Sequence, residues 1–342
     1  MNNYRLIESV WYSRSKVTWL FWPFNLIFLL IVKLKRFLYQ AKLISSNHFS
    51  KTVLVVGNIS VGGTGKTPFI NCMVRLLADE GIKAGIVSRG YLSSIESYPH
   101  QITQSDSAEQ VGDEAFMQFL DLNVKDKLGI PIVIDPSRSN AVNHINQFND
   151  VDIIISDDGM QHYKMSRDIE VLLFDGKRQF GNQLILPFGP LREPVSRLKT
   201  VDLVVQNGSS NTKLTEHKVC FHTKSIVNLK TKKEVSVENF SQQQVIAVAG
   251  IGNPTGFFES LNEVCQIKDK VIFPDHYHFR SEDFEMFGEQ IIIMTEKDAS
   301  KCYEFAQDNW YYLKVEMQFD RNLRAKILEL VNSSIAKRKS NE

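Results

Sequence analysis

The 342-residue sequence predicts an α/β protein, and three observations carry that prediction. Apolar runs of strand length alternate with helical stretches from Thr52 onward. The first of these runs enters a glycine-rich turn with a helix directly behind it. A second alternation of the same kind opens at Val245, beyond a polar stretch. Strands that are apolar throughout and alternate with helices belong to parallel sheets covered on both faces. The expected architecture is a P-loop NTPase-type parallel-sheet domain and a smaller second α/β domain, preceded by an N-terminal membrane-associating helix.

The N-terminal segment, 1–44, carries the run VTWLFWPFNLIFLLIV from Val17 to Val32, with Arg14 and Lys16 before it and Lys33, Lys35 and Arg36 after it. This run is shorter than the roughly 20 residues a spanning helix needs, and Pro23 and Asn25 interrupt it. Trp19, Phe21 and Trp22 suit the headgroup boundary, and the basic flanks suit anionic lipid. The segment reads as an interfacial, monotopic helix, with a true span or a buried core helix as the alternatives. Basic residues follow in place of a small-residue cleavage site, which argues against a signal peptide.

From 45 to 206 the pattern is that of the first domain. TVLVVGN is a strand that ends in a glycine turn. Pro68–Glu80 places Phe69, Ile70, Met73, Val74 and Leu77 at helical spacing, and Gly81 closes it. Ala84–Ser88 is the next strand, Ala108–Asp121 a single helix, and Ile130–Ile134 a strand. Val151–Ser156, Glu170–Phe174 and Val201–Gln206 are further buried strands. Residues 207–244 turn polar and irregular, and are expected to form a connector of short antiparallel strands. The second domain, 245–342, contains VIAVAG, QIIIMT and a helix from Arg321.

Forty basic residues against 39 acidic ones leave a net charge of +1, which exerts no general pull on nucleic acid. Anionic partners must therefore be met by local clusters. Cys72, Cys220, Cys265 and Cys302 lack CxxC spacing, which argues against a zinc site and a disulfide framework and fits a reducing cytosol. No obligatory protein partner is evident.

GNISVGGTGKT between a strand and a helix is the strongest chemical signal. A P-loop wraps backbone N–H groups around phosphate at a helix N-terminus, where the dipole also favours anions. Ser60, Val61, Gly62, Gly63, Thr64, Gly65, Lys66 and Thr67 form the expected nucleotide cradle for ATP. Lys66 reaches the β- and γ-phosphates, and the Thr67 hydroxyl ligates Mg²⁺. Ser60 stands where the usual motif has its first glycine. Asp157 and Asp158 end the strand VDIIISDD, the position from which acidic residues meet the metal.

VGDEA puts Asp113 and Glu114 at a helix start, where one carboxylate can accept an alcohol proton and the other face the metal. Helix-dipole stabilisation explains such a pair equally well. In FPDHYHF, an Asp275–His276 pair can tune a base, while the spacing argues against a metal site. LPFGPLREP holds Arg192 in a loop with three prolines, suited to clamping phosphate charge.

The full set is GNISVGGTGKTP, SRGY, VGDEA, DDGMQH with SRDIEVLLFD, LPFGPLREP, VAGIGNPTGFF, FPDHYHF and TEKDASK, behind a hydrophobic N-terminal helix. In this order it resembles the tetraacyldisaccharide 4′-kinase family over nearly the whole chain. The resemblance implies that ATP phosphorylates the 4′-hydroxyl of a lipid substrate, tetraacyldisaccharide 1-phosphate, at the cytoplasmic face of the inner membrane. It also implies two α/β/α domains joined by a two-stranded linker. Position by position, Lys66 and Thr67 match the residues that serve the phosphates and Mg²⁺. Asp113 matches the general base, Glu114 a metal-side carboxylate, and His276 the histidine paired with that base. Asp157 and Asp158 match the acidic strand end near Mg²⁺, and Arg192 an active-site arginine.

Three other classes compete. A membrane-associated regulatory ATPase or GTPase would leave Asp113 and His276 without purpose, and TEKD is not the guanine-reading NKxD string. A metallochaperone lacks a Cys/His relay. A soluble small-molecule kinase leaves Val17–Val32 unexplained.

Overall fold

The structure is a computed structural model that describes residues 11–12, 22–208, 214–252, 254–275 and 277–340. It divides into two compact units, one formed by Met1–Val219 with Phe319–Glu342 and the other by Cys220–Gln318.

In the first unit, helix α1 (Trp22–Gln40) precedes β1 (Thr52–Gly57), α2 (Lys66–Asp79), β2 (Ala84–Ser88) and β3 (His100–Gln101). Then come α3 (Ala108–Val111), α4 (Asp113–Phe119), β4 (Ile132–Ile134), α5 (Arg138–Asn146), β5 (Ile153–Asp157), β6 (Ile169–Asp175) and β7 (Leu203–Asn207). The strands lie in the order β3-β4-β2-β5-β1-β6-β7. All neighbours are parallel except the edge pair of β3 and β4. Every residue of β1 is buried, as a strand covered on both faces requires. Val53, Val55, Ile154 and Leu172 join Ile145 of α5 and Met160 in one core cluster.

The expected single helix Ala108–Asp121 is two helices and a π-helical turn, Leu120–Lys125. Gly112 makes the break. Its φ of 91° and ψ of 138° are open only to glycine, and a Cβ there would lie 2.5 Å from the Tyr91 carbonyl oxygen. The helix is therefore interrupted so that the chain can pass the SRGY turn, and Asp113 becomes the first residue of a new helix.

The C-terminal helix Arg321–Lys339 belongs to the first unit, whereas the sequence pattern puts it with the second. It buries Leu323, Ile327 and Val331. Arg338 grips Asp168 with Nη2 at 2.8 and 2.9 Å from the two carboxylate oxygens. Asp168 Oδ2 also accepts the Val53 N–H at 2.8 Å, which ties the helix to β1.

Helix α1 presents two unlike faces. Leu29 and Val32 pack on the core cluster and Asn25 is buried, while Phe24, Ile27, Leu30, Ile31, Leu34 and Phe37 are exposed. Of the apolar run predicted from Val17, residues 17–21 lie outside the described residues. Among the described residues no helix is long and apolar enough to cross a membrane.

In the second unit, β10 (Gln244–Ala249), β11 (Gln266–Ile272), β12 (Ile291–Thr295) and β13 (Trp310–Gln318) form a parallel set in the order β11-β10-β12-β13. β8 (Lys218–Asn228) pairs antiparallel with β13 from Asn228↔Tyr311 to Cys220↔Gln318, and β9 (Glu234–Val235) pairs antiparallel with β8. Phe279, Phe284, Phe287 and Trp310 fill one core cluster of this unit, and Phe240, Phe258, Leu261 and Leu313 fill another.

Candidate active site

The glycine-rich turn between β1 and α2 has the shape of an anion cradle. Gly62 and Gly65 take φ values of 105° and 83°, and Gly63 has open space on its Cβ side. No side chain caps the N-terminus of α2 and no acidic residue occupies its first turn. The N–H groups and positive dipole end there suit an anion. Asn58 Nδ2 donates to Thr64 Oγ1 at 3.3 Å and Asn207 Nδ2 to the Thr64 carbonyl at 3.0 Å, so the ends of β1 and β7 brace the turn.

The proline-rich segment is stitched to the same turn. Ser60 and Leu191 form an antiparallel bridge, the Val61 N–H donates to the Pro190 carbonyl at 2.8 Å, and the Arg192 N–H donates to the Ile59 carbonyl at 2.7 Å. These backbone bonds carry Arg192 to the end of β5. There its Nη1 lies 2.8 Å from Asp158 Oδ2, and Lys66 Nζ lies 3.5 Å from Asp158 Oδ1. Lys66, Arg192 and Asp158 thus converge. Asp158 itself has a φ of 50°, a left-handed conformation that aspartate tolerates better than most residues.

The two aspartates differ electrostatically. Burial pushes the Asp157 carboxyl up to about 7, and the charges of Asp158 and Glu114 add to the rise while Lys66 opposes it. Burial also works on Asp158, but the Lys66 and Arg192 cations outweigh it and hold that carboxyl below its ordinary value. Asp157 Oδ1 and Asp158 Oδ1 are buried oxygens that accept no hydrogen bond among the described residues. A buried Asp157 oxygen with no donor among the described residues, next in sequence to the Asp158 oxygen that faces the Lys66 ammonium, fits a hard cation such as Mg²⁺. Among the described residues no three His, Cys, Asp or Glu side chains converge to hold a metal unaided.

Glu114 is exposed on the first turn of α4, and Asp113 is half-buried at its start. Thr67 is half-buried on the first turn of α2. His276 lies outside the described residues. Its neighbour Asp275 accepts an ion pair from Lys297 at 3.4 Å.

Several residues of this region escape a reading by motif. Arg138, buried at the start of α5, donates from Nη2 to the Asp157 carbonyl at 3.0 Å, and burial lowers its guanidinium to about 10. Gln161 Nε2 donates to the Asn58 carbonyl at 3.0 Å and to Glu193 Oε1 at 2.8 Å. Glu193, next to Arg192, is buried and also accepts from Tyr163 Oη at 2.6 Å and Arg197 Nε at 3.1 Å. Gln161 and Glu193 lie within DDGMQH and LPFGPLREP, but neither string says that the two side chains meet. For Arg138 the sequence offers no signal.

The model of the LpxK family, tetraacyldisaccharide-1-P 4′-kinase, matches residues 17–332. A tetraacyldisaccharide 4′-kinase of Francisella tularensis subsp. novicida is 42% identical over 329 residues, covering 92% of this chain and 100% of that protein. The kinase of Legionella pneumophila strain Lens is 40% identical over 315 residues, covering 92% and 94%. A crystal structure of LpxK from Aquifex aeolicus in complex with ATP superposes with a TM-score of 0.71 at 24% identity, covering 93% of this chain and 99% of that one, and shows that the fold is shared. The chain belongs to the LpxK family of tetraacyldisaccharide-1-P 4′-kinases.

Proposed function

We propose that the chain transfers the γ-phosphoryl group of ATP to the 4′-hydroxyl of tetraacyldisaccharide 1-phosphate, giving the 1,4′-bisphosphate in lipid A biosynthesis. The observation that carries this reading is the convergence of Lys66 and Arg192 on Asp158 at the mouth of the glycine-rich turn. Two cations and a carboxylate at an anion cradle are what phosphoryl transfer requires, since positioning and charge stabilisation dominate its catalysis. ATP is the nucleotide in the complex of the Aquifex aeolicus protein that shares this fold.

In the proposed reaction the backbone of Ser60–Gly65 cradles the phosphates and Lys66 lies along the β- and γ-oxygens. Thr67, Asp157 and Asp158 would hold Mg²⁺, with Glu114 on the same side. Bound there, the ion would neutralise charge on the phosphate oxygens. Asp113 accepts the proton of the 4′-hydroxyl as its oxygen bonds to the γ-phosphorus. The bond from γ-phosphorus to the bridging oxygen breaks, and Lys66 and Arg192 stabilise the charge that moves onto the departing ADP.

The exposed apolar face of α1 supports a lipid surface as the place of reaction. A contiguous apolar face on an amphipathic helix lies in an interface, here the cytoplasmic face of the inner membrane. The acceptor's acyl chains stay in the bilayer, so the enzyme comes to them. The test is ³²P transfer from [γ-³²P]ATP to tetraacyldisaccharide 1-phosphate in detergent micelles, with Lys66→Ala beside it. Label in the lipid that needs Mg²⁺ and Lys66 is the expected result. ATP hydrolysis with unlabelled lipid would overturn the acceptor and favour a membrane-associated ATPase.

A further inference from the structure

Among the described residues of α1, the one buried side chain is polar. Asn25 is 6% exposed in a helix whose neighbouring positions Phe24, Leu26, Ile27 and Phe28 face outward. Its Oδ1 accepts the backbone N–H of Ile185 at 2.7 Å. A lipid anchor gains nothing from an asparagine turned inward, because any apolar residue would serve a membrane face and cost less to bury.

What Asn25 holds is the base of the arginine loop. Ile185 bridges Leu191, and the Leu186 N–H donates to the Leu191 carbonyl at 2.8 Å. Leu191 in turn bridges Ser60, and the next residue, Arg192, bonds to Ile59 through its own N–H. One side-chain hydrogen bond and two backbone bridges therefore separate the apolar helix from the phosphate cradle. A further contact fastens the same loop to α1: Phe188 sits against Phe24 and Phe28 with ring centroids 6.2 and 5.8 Å away. Beyond the loop, Arg36 Nη2 donates to Thr200 Oγ1 at 2.8 Å, at the end of the 3-10 helix Val195–Thr200.

We propose that Asn25 is a positioning residue for phosphoryl transfer: through Ile185 and Leu191 it fixes the loop that aims Arg192, so that α1 aligns the site as well as meeting the lipid. This rests on the reading of Arg192 as a group that stabilises the transferred charge. Without the Asn25 oxygen, the Ile185 N–H is buried with no acceptor, and the loop must move to find one. A displacement of an ångström at a charge-stabilising group is enough to slow turnover strongly while leaving ground-state binding intact.

The experiment compares full-length wild type, Asn25→Leu, Asn25→Asp, Arg192→Ala and the double variant Asn25→Leu/Arg192→Ala. Each is assayed with [γ-³²P]ATP in mixed micelles of Triton X-100 and tetraacyldisaccharide 1-phosphate, and each is tested for co-sedimentation with phosphatidylglycerol vesicles. Asn25→Leu is expected to lower kcat about ten- to a hundredfold, with acceptor KM and vesicle binding unchanged. Asn25→Asp keeps an acceptor oxygen and recovers most of the rate, which separates the brace from simple misfolding. The double variant is expected to be no slower than Arg192→Ala, because the brace acts through that arginine. A raised acceptor KM or lost vesicle binding with kcat unchanged in Asn25→Leu overturns the proposal and leaves α1 as an anchor alone. Additive losses in the double variant overturn it equally. Full turnover in Arg192→Ala would remove the arginine from the reaction, whereas full turnover in Asn25→Leu beside a dead Arg192→Ala sinks the brace only.

Discussion

Arg192 Nη1 lies 2.8 Å from one oxygen of the Asp158 carboxylate, while the other oxygen faces Lys66 Nζ at 3.5 Å. One carboxylate thus draws together two cations that would otherwise repel each other and lose their aim. Asp158→Asn keeps the shape and the tolerance for a φ of 50°, and removes only the charge. It is expected to cut kcat on the order of 10²- to 10³-fold, as lost electrostatic stabilisation does, with Lys66→Ala at least as damaging. Steady-state transfer to the lipid acceptor checks both, and wild-type turnover in Asp158→Asn would remove the carboxylate from the site.

Arg192 and Glu193 are neighbours with opposite duties. Arg192→Ala should abolish most activity and leave thermal stability nearly unchanged, because its side chain is partly solvated. Glu193→Ala leaves Arg197, 2% exposed, without one of its two carboxylates and takes the acceptor from Tyr163 and Gln161. Breaking such a buried pair costs about 3–5 kcal/mol. Paired melting curves and activity assays should therefore separate the two substitutions cleanly.

Gly112 is the hinge on which Asp113 is placed. Gly112→Ala puts a methyl group 2.5 Å from the Tyr91 carbonyl oxygen and forces a positive φ on alanine, a strain of about 1–3 kcal/mol. The expected result is a lower melting temperature together with a kcat loss approaching that of Asp113→Ala. For Asp113→Ala that loss is on the order of 10²-fold with ATP affinity little changed. An Asp113→Ala enzyme that turns over normally would end its role as proton acceptor.

His162 makes the fold acid-sensitive. Partial burial, with Arg138 and Arg167 nearby, lowers its imidazole to about 4 from the ordinary 6.5. Between those values the unfolded chain binds a proton that the folded chain refuses, so stability is lost as pH falls from about 6.5 towards 4. Above 6.5 the residue contributes no slope. His162→Gln should flatten the melting temperature across that window, and an unchanged slope in the variant would locate the acid sensitivity elsewhere.

The nucleotide cradle is legible in the sequence because it is local. Strand, glycines, Lys66, Thr67 and helix are contiguous, and Asp157 and Asp158 sit at the end of an unmistakable apolar run. The same holds for the strands of the first unit, whose apolar cores are found where the pattern puts them. What the pattern hides depends on partners far along the chain. Gly112 breaks a helix because the Tyr91 carbonyl crowds it, and nothing between residues 108 and 121 announces that. Asn25 reads as a blemish in an apolar run until Ile185 is seen opposite it. The helix from Arg321 looks like the end of the second unit because only its neighbours in sequence are visible, while its partners are Asp168 and the β1–β6 region.

That last helix has a consequence for biogenesis. Since Phe319–Glu342 completes the unit begun at Met1, the whole of Cys220–Gln318 is an insertion within its host. On the ribosome, the second unit emerges and can fold while the first still lacks the helix that buries Leu323, Ile327 and Val331 and pairs Arg338 with Asp168. The unit that carries the glycine-rich turn is therefore the last to be completed, and its nascent form waits with an apolar seam uncovered. A chain halted before Arg321 is expected to need chaperone protection, while one halted before Cys220 lacks both the insertion and the closing helix.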